Sequence, residues 1–378
     1  MSERLSAGWG MWERAGLGLL AAAVCTASAV SACSGEDHSV NNANGEGNSS
    51  PGVYEPPSEQ PEPAADKDEA TDEAPLIAAA DTPTDPNFKV AFIGDTASGE
   101  DFRSVLQLVK REGAKLVVVQ GDVTYDGETP SEWFSAVDGE INTSTTTIPY
   151  FVSKGNHDTG WSTIGSGLKS RMATWNIPSE NNDPTKKNYS VVYKGLKIVM
   201  VSDSETSPSR ASYVKDRLAN DTHIWKICSW HKNMRATNVG PKNDEMGWTI
   251  YENCRAQGAI VAQGHSHTYS RSKTVTNDQS QTIDSTCSDP FNLCLAPGKH
   301  FFFDSSLGGH DMRPLNTTVA SKPYWASTYV SGFGALFITF YVDNDPRKAR
   351  GYFKTVDNVI IDPPPSSGKT SFTITRAP

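Results

Sequence analysis

The 378-residue chain has no apolar run long enough to cross a bilayer as a helix. Its longest, Gly16–Val30, is about 15 residues, against the ~20 that a span needs. It has no Cys-x-x-Cys pair, which argues against a thiolate zinc site. It has no cluster of lysines and arginines to suggest a nucleic-acid surface, and no internal repeat. Large apolar residues are nearly absent from Ser34–Pro86, where Asn, Ser, Gly, Pro and acids dominate. Such a segment cannot bury enough surface to offset its ordering entropy, so a disordered tether is expected over 33–86. The tether also holds the charge. Thirteen acids and one base, Lys67, lie between Ser34 and Pro86. The residues before them are neutral and the chain total is −10, so Asn87–Pro378 carries about +2.

Met1–Ala32 reads as a secretory signal: Arg4 and Arg14 supply a basic start, and the apolar stretch ends at Val30-Ser31-Ala32-Cys33. A small residue directly before Cys33 resembles the lipobox of bacterial lipoproteins. It implies cleavage before Cys33, lipid on its sulfur, and an exported protein held at the membrane of the cell envelope. Asn87–Pro378 is long enough to bury a large core as one domain. Four cysteines lie in it, and in an exported protein an even count suggests disulfides. Cys287 and Cys294 flank the turn-rich Ser288-Asp289-Pro290, which pairs them and leaves Cys228 to Cys254.

The folded part alternates strand and helix patterns. Lys89–Ile93, Lys115–Gln120, Ile148–Ser153, Ile224–Ser229 and Ala259–Gln263 read as buried strands, and Asn188–Tyr193 with Leu196–Val201 as a hairpin about Lys194-Gly195. Asp101–Arg111, Ser131–Val137, Arg210–Ala219 and Asn243–Gln257 read as helices, and a Gly/Ser-rich loop leads to a short helix near Leu168–Trp175. Beyond His267, strands are expected at Phe301–Asp304, Ala335–Val342, Lys348–Val356 and Ser371–Arg376. The pattern predicts a mixed α/β domain with two sheets.

Each of the five buried strands ends in a polar cluster: Gly94-Asp95, Gly121-Asp122-Val123-Thr124-Tyr125, Gly155-Asn156-His157-Asp158, Trp230-His231 and Gly264-His265-Ser266-His267. Polar groups at the ends of successive core strands converge on one sheet edge, where α/β proteins keep their sites. A carboxylate bridges two cations readily, and Asn156 offers an amide oxygen. His265 and His267 alternate along an extended segment, facing different ions, or are brought round by a turn. Imidazole, carboxylate and amide together suit iron, zinc or manganese and not a calcium cage.

These clusters resemble those of the calcineurin-like metallophosphoesterases, and in detail the purple acid phosphatases. Ala97 stands where the common pattern has a histidine, and Tyr125 stands three residues after Asp122, where purple acid phosphatases have a ligating tyrosine. Gly264-His265-Ser266-His267-Thr268-Tyr269-Ser270-Arg271 is similar to that family's last motif. The resemblance spans roughly Phe88–Val342. It implies a four-layer αββα sandwich of two mixed sheets flanked by helices. It implies a ferric site of Asp95, Asp122, Tyr125 and His267, and a divalent site (Fe(II), Zn or Mn) of Asp122, Asn156, His231 and His265. A Tyr125 phenolate would hold iron as Fe(III) and give a visible absorption band. His157 would donate to substrate or leaving group, and His310 and Arg313 would reach the phosphate. The expected reaction is hydrolysis of phosphate monoesters by a metal-activated hydroxide. The alternatives are a Zn or Mn phosphodiesterase or nucleotidase on the same scaffold, and a surface module that binds without catalysis.

Overall fold

Alternation along the strands decides the layering. In the strand Phe88–Ile93, Val90 and Phe92 enter one core while Ala91 and Ile93 enter another. Leu116–Val119 divides in the same way, with Leu116 and Val118 opposite Val117 and Val119. In the second sheet Ile198 and Met200 meet the first core from the other side, while Val199, Val261 and Phe302 face a third. The first core is therefore the seam between two sheets, and the other two lie under the outer helices. Fully burying each Val, Ile, Leu or Phe contributes about 1.5–3 kcal/mol. The result is a mixed α/β sandwich with six α-helices among the described residues.

This computed structural model describes residues 84–177 and 183–378. The leader Met1–Ala32, Cys33 and all but the last three residues of the acidic segment lie outside the described residues. The first sheet runs Asn292–Leu295, Phe372–Arg376, Asp345–Thr355, Gly334–Val342, Phe88–Ile93, Leu116–Val119, Tyr150–Val152, with Ile360–Asp362 also paired to Asp345–Thr355. The second runs Trp325–Tyr329, Tyr269–Ser272, Phe302–Ser305, Ile260–Gln263, Trp225–Ser229, Leu196–Met200, Tyr189–Tyr193. Phe88–Ile93 is parallel to Leu116–Val119 and antiparallel to Gly334–Val342, where Phe88 pairs with Phe340. Leu116–Val119 is parallel to Tyr150–Val152. In the second sheet Leu196–Met200, Trp225–Ser229, Ile260–Gln263 and Phe302–Ser305 form a parallel series. The carboxyl ends of both parallel series carry the polar clusters.

Two disulfides close as expected: Cys228 to Cys254, which ties a core strand to the helix Trp248–Arg255, and Cys287 to Cys294. A buried ion pair joins the sheets. Arg271 donates from two nitrogens to both oxygens of Asp362, at 2.6 and 2.8 Å, and Tyr269 Oη donates to the same carboxylate at 2.7 Å.

Three regions depart from the sequence reading. The Gly/Ser-rich stretch is no loop: a helix runs Trp161–Thr174. Its glycines serve close packing, since a Cβ on Gly165 would lie 2.9 Å from Thr185 Cα and one on Gly167 would lie 2.5 Å from the Phe134 ring. The helix expected over Asn243–Gln257 begins only at Trp248, because Gly247 is left-handed with φ 82°. Strands at Tyr269–Ser272, Asn292–Leu295, Trp325–Tyr329 and Ile360–Asp362 were not legible. Tyr269–Ser272 is polar at three of four positions yet buried throughout, which defeats a hydrophobic pattern.

Candidate metal centre

The site grows from tight turns. Asp95 and Asp122 have φ of 56° and 51°, and His265 and His267 have φ of 77° and 54°. Four non-glycine residues in the left-handed region at one place are strain held by the surrounding structure, of order 1–3 kcal/mol each. His265 and His267 therefore lie on a bent loop, and the turn, not an extended alternation, aims their rings. Glycines let the loops approach. A Cβ on Gly155 would lie 2.1 Å from Asp122 Oδ1, and one on Gly264 would lie 2.7 Å from the Gln120 carbonyl.

Two groups of side chains result. In the first, Asp95 Oδ1 accepts from Tyr125 Oη at 3.1 Å and lies 3.1 Å from His267 Nε2, while Asp95 Oδ2 accepts from the His265 backbone N–H at 2.7 Å. In the second, His231 Nε2 lies 2.9 Å from Asp122 Oδ2 and 3.0 Å from His265 Nδ1. Ligand atoms of Asp122, His231 and His265 all fall within 4.8 Å of one another. His231 Nε2 is 4.0 Å from Asp95 Oδ1, which brings the groups together. Asn156 lies between Gly155 and His157, both of which touch Asp122, and its Oδ1 is buried with no hydrogen-bond partner.

Outer contacts fix the rings. His231 Nδ1 donates to the Gln120 carbonyl at 2.8 Å, leaving Nε2 to the carboxylate. His265 Nε2 lies 3.0 Å from Glu245 Oε2, which turns Nδ1 toward His231. His267 Nδ1 faces the Asp311 carboxylate. Asp158 accepts backbone N–H bonds from Asp122, Val123, Thr124 and Gly155 at 2.8–3.2 Å, holding two clusters in one frame. Glu128 accepts from the Tyr125 N–H at 2.8 Å and from Ser98, which binds the Tyr125 turn to the first motif.

The electrostatics favour a cation. Burial opposes charge on Asp95, yet His267 and His231 hold its carboxyl well below the usual range. Burial opposes a proton on His231, but Asp122 and Asp95 outweigh it and push the imidazole up to about 10. A field that retains a proton there equally favours a metal ion, whose binding would release that proton. Burial pushes His265 down to about 4, keeping it neutral as a ligand must be. Burial, then Asp95 and Asp122, raise the Tyr125 phenol, so its ionisation needs a compensating cation. Burial and Asp122 push Asp158 up to about 6 against its N–H donors. With the orphaned Asn156 oxygen, this donor set fits metal ions.

The other expected residues lie at the rim. His157 gives its backbone N–H to Asp122 Oδ1 at 2.8 Å and tilts its ring over Tyr125, centroids 4.6 Å apart. His310 stacks on the same Tyr125 ring, 3.4 Å between centroids. Arg313 donates its backbone N–H to the His267 carbonyl at 3.2 Å, and its guanidinium is 3.9 Å from Asp311. Sequence reasoning missed Asp158, Glu128, Glu245, Asp311 and Lys242. Asp158 alone carried a signal, as the last residue of the third cluster. Lys242 Nζ lies 3.4 Å from His265 Nδ1, and burial and Arg313 lower its pKa.

The calcineurin-like phosphoesterase family model matches residues 88–269. The fold is similar to that of purple acid phosphatase PPD1 from yellow lupin (Lupinus luteus) seeds, at 18% identity and a TM-score of 0.58, over 78% of this chain and 55% of that one. This chain thus spans about half the length of that relative. Weaker likenesses are PhoD (11% identity, 72% and 66% covered, TM-score 0.47) and a dimetal phosphatase from Danio rerio (12%, 78% and 100%, 0.44). No curated protein matches the sequence.

Proposed function

Because the chain belongs to the calcineurin-like phosphoesterases, we propose that it is a dinuclear-metal phosphatase of purple-acid type acting on phosphate monoesters. The observation that carries this reading is the Tyr125 hydroxyl, set 3.1 Å from Asp95 Oδ1 and 3.4 Å from His267 Nε2, beside the Asp122, His231 and His265 group. Asp95, Asp122, Tyr125 and His267 would hold Fe(III), and Asp122, Asn156, His231 and His265 would hold Fe(II), Zn or Mn. Two bound cations would neutralise phosphoryl charge and lower the pKa of the attacking water. The chain's own residues orient and protonate. His157, whose backbone N–H bonds Asp122 and whose ring tilts over Tyr125, would give a proton to the leaving oxygen. His310, stacked on the Tyr125 ring, would hold the phenol in place from its own loop. Export as a lipoprotein anchored through Cys33 completes the proposal and rests on Val30–Cys33.

Metal analysis with a visible spectrum tests the assignment. The isolated protein is expected to hold two metals, at least one iron, and to be purple or pink. Tyr125→Phe keeps the ring and removes the oxygen, so the band should vanish while the fold stays. Full iron occupancy without a visible band refutes the ferric reading and leaves a colourless phosphoesterase. Failure of the metal-loaded protein to release phosphate from 4-nitrophenyl phosphate refutes the phosphatase reading itself.

A further inference from the structure

Lys242 lies half-buried on the segment between Trp225–Ser229 and Trp248–Arg255, with Nζ 3.4 Å from His265 Nδ1. That nitrogen is the one aimed at His231, 3.0 Å away. Its lysine neighbours are partnered: Lys232 pairs with Glu245 at 3.0 Å and Lys154 with Asp203 at 3.7 Å. Among the described residues no carboxylate comes within 4.0 Å of Lys242 Nζ; its nearest polar contact is that imidazole. The Arg313 guanidinium is close enough to repel it, and Arg313 itself is only loosely paired with Asp311 at 3.9 Å.

An ammonium in such surroundings feels Asp95, Glu245 and Asp122 only at longer range and has no anion in contact. A metal ion held by Asp122, His231 and His265 would add a further positive charge beside it. An anion seated between lysine and metal removes the conflict, and a phosphate has oxygens for both. We propose that Lys242 is a phosphate-binding residue that selects the dianionic monoester over the monoanionic diester. This deepens the phosphatase reading and rests on it for the substrate. A point charge with three rotatable donors suits one non-bridging oxygen, whereas Arg313 approaches from the His267 loop. Replacing one of a dianion's two charges by an ester removes much of what the lysine attracts, so discrimination should be read mainly in KM.

The test uses the metal-loaded full chain, with Lys242→Met and Lys242→Arg. Inorganic phosphate is titrated calorimetrically, and 4-nitrophenyl phosphate and bis(4-nitrophenyl) phosphate are compared as substrates. Lys242→Met should weaken phosphate about tenfold to a hundredfold, a charged hydrogen bond's worth, and raise KM for the monoester by a similar factor. KM for the diester should change less than threefold, metal content should be unchanged, and Lys242→Arg should recover part of the loss. Equal phosphate affinity in wild type and Lys242→Met overturns the proposal. So does a loss shared equally by monoester and diester, or a loss of metal in Lys242→Met. If wild type turns over neither ester, the phosphatase reading fails. The calorimetric comparison then decides the lysine's role separately: lysine-dependent phosphate binding sustains it, and absence of phosphate binding overturns it.

Discussion

Gly155→Ala adds one carbon at the point where two ligand loops touch. The new Cβ would lie 2.1 Å from Asp122 Oδ1 and 2.5 Å from Asp122 N, far inside van der Waals contact and against backbone that cannot swing away. Either the Gly155 loop or the Asp122 turn must move by about 1 Å. Overpacking of this kind costs about 1–3 kcal/mol. Loss of the 2.8 Å bond from the His157 N–H to the Asp122 carboxylate adds about 1–3 kcal/mol. The sum, about 2–6 kcal/mol, should lower Tm by roughly 4–24 °C at the 2–4 °C per kcal/mol of a large domain. Gly139→Ala is the control. It makes the same chemical change on the exposed face of the helix Pro130–Ile141, where the nearest atom is 3.9 Å away, and should stabilise by about 0.5–1 kcal/mol. Thermal unfolding by circular dichroism reads both, and metal titration should show Gly155→Ala binding at least tenfold more weakly with Gly139→Ala unchanged. A Gly155→Ala protein that melts within 1 °C of wild type and binds metal normally refutes the reasoning.

Removing Cys228 and Cys254 together should cost about 3.5 kcal/mol from the entropy of a loop of 26 residues, against about 2.4 kcal/mol for Cys287 and Cys294 with a separation of 7. Thermal denaturation of the two double-alanine variants checks the order, and the reverse order defeats the loop argument. Cys33→Ser should release the protein from membranes or block its processing, and equal solubility of wild type and variant on fractionation rules the lipid anchor out.

The strands that build the site were legible because they are short, Val- and Ile-rich and bounded by glycine. Leu116–Val119 is apolar at every position since both of its faces are buried. The order of the polar clusters was legible for the same reason, as each follows such a strand. What was hidden was hidden by context. Trp161–Thr174 looks like a loop until Phe134 and Thr185 are found pressing on its glycines. The Tyr269–Ser272 strand buries Ser270 and Arg271, and Arg271 is tolerated only because Asp362, more than ninety residues later, meets it. His265 and His267 suggested a strand by their spacing, but their positive φ values can be read only from coordinates. Lys242 lies just before the helix read over Asn243–Gln257 and Glu245 within it, but both precede the helix that forms at Trp248, and only folding brings them to His265.

The pairing of Phe88 with Phe340 bears on how the molecule comes to exist. Phe88–Ile93 is central in its sheet, yet one neighbour is made about 250 residues after it. At the ~5–20 residues per second of a ribosome that neighbour follows roughly 12–50 s later. Throughout that interval the first strand has an open apolar edge, of the kind that templates aggregation. Asp362 arrives later still, so Arg271 waits as an unpaired cation. Vectorial synthesis cannot complete this domain piece by piece: its central sheet closes only when nearly all of the chain has emerged.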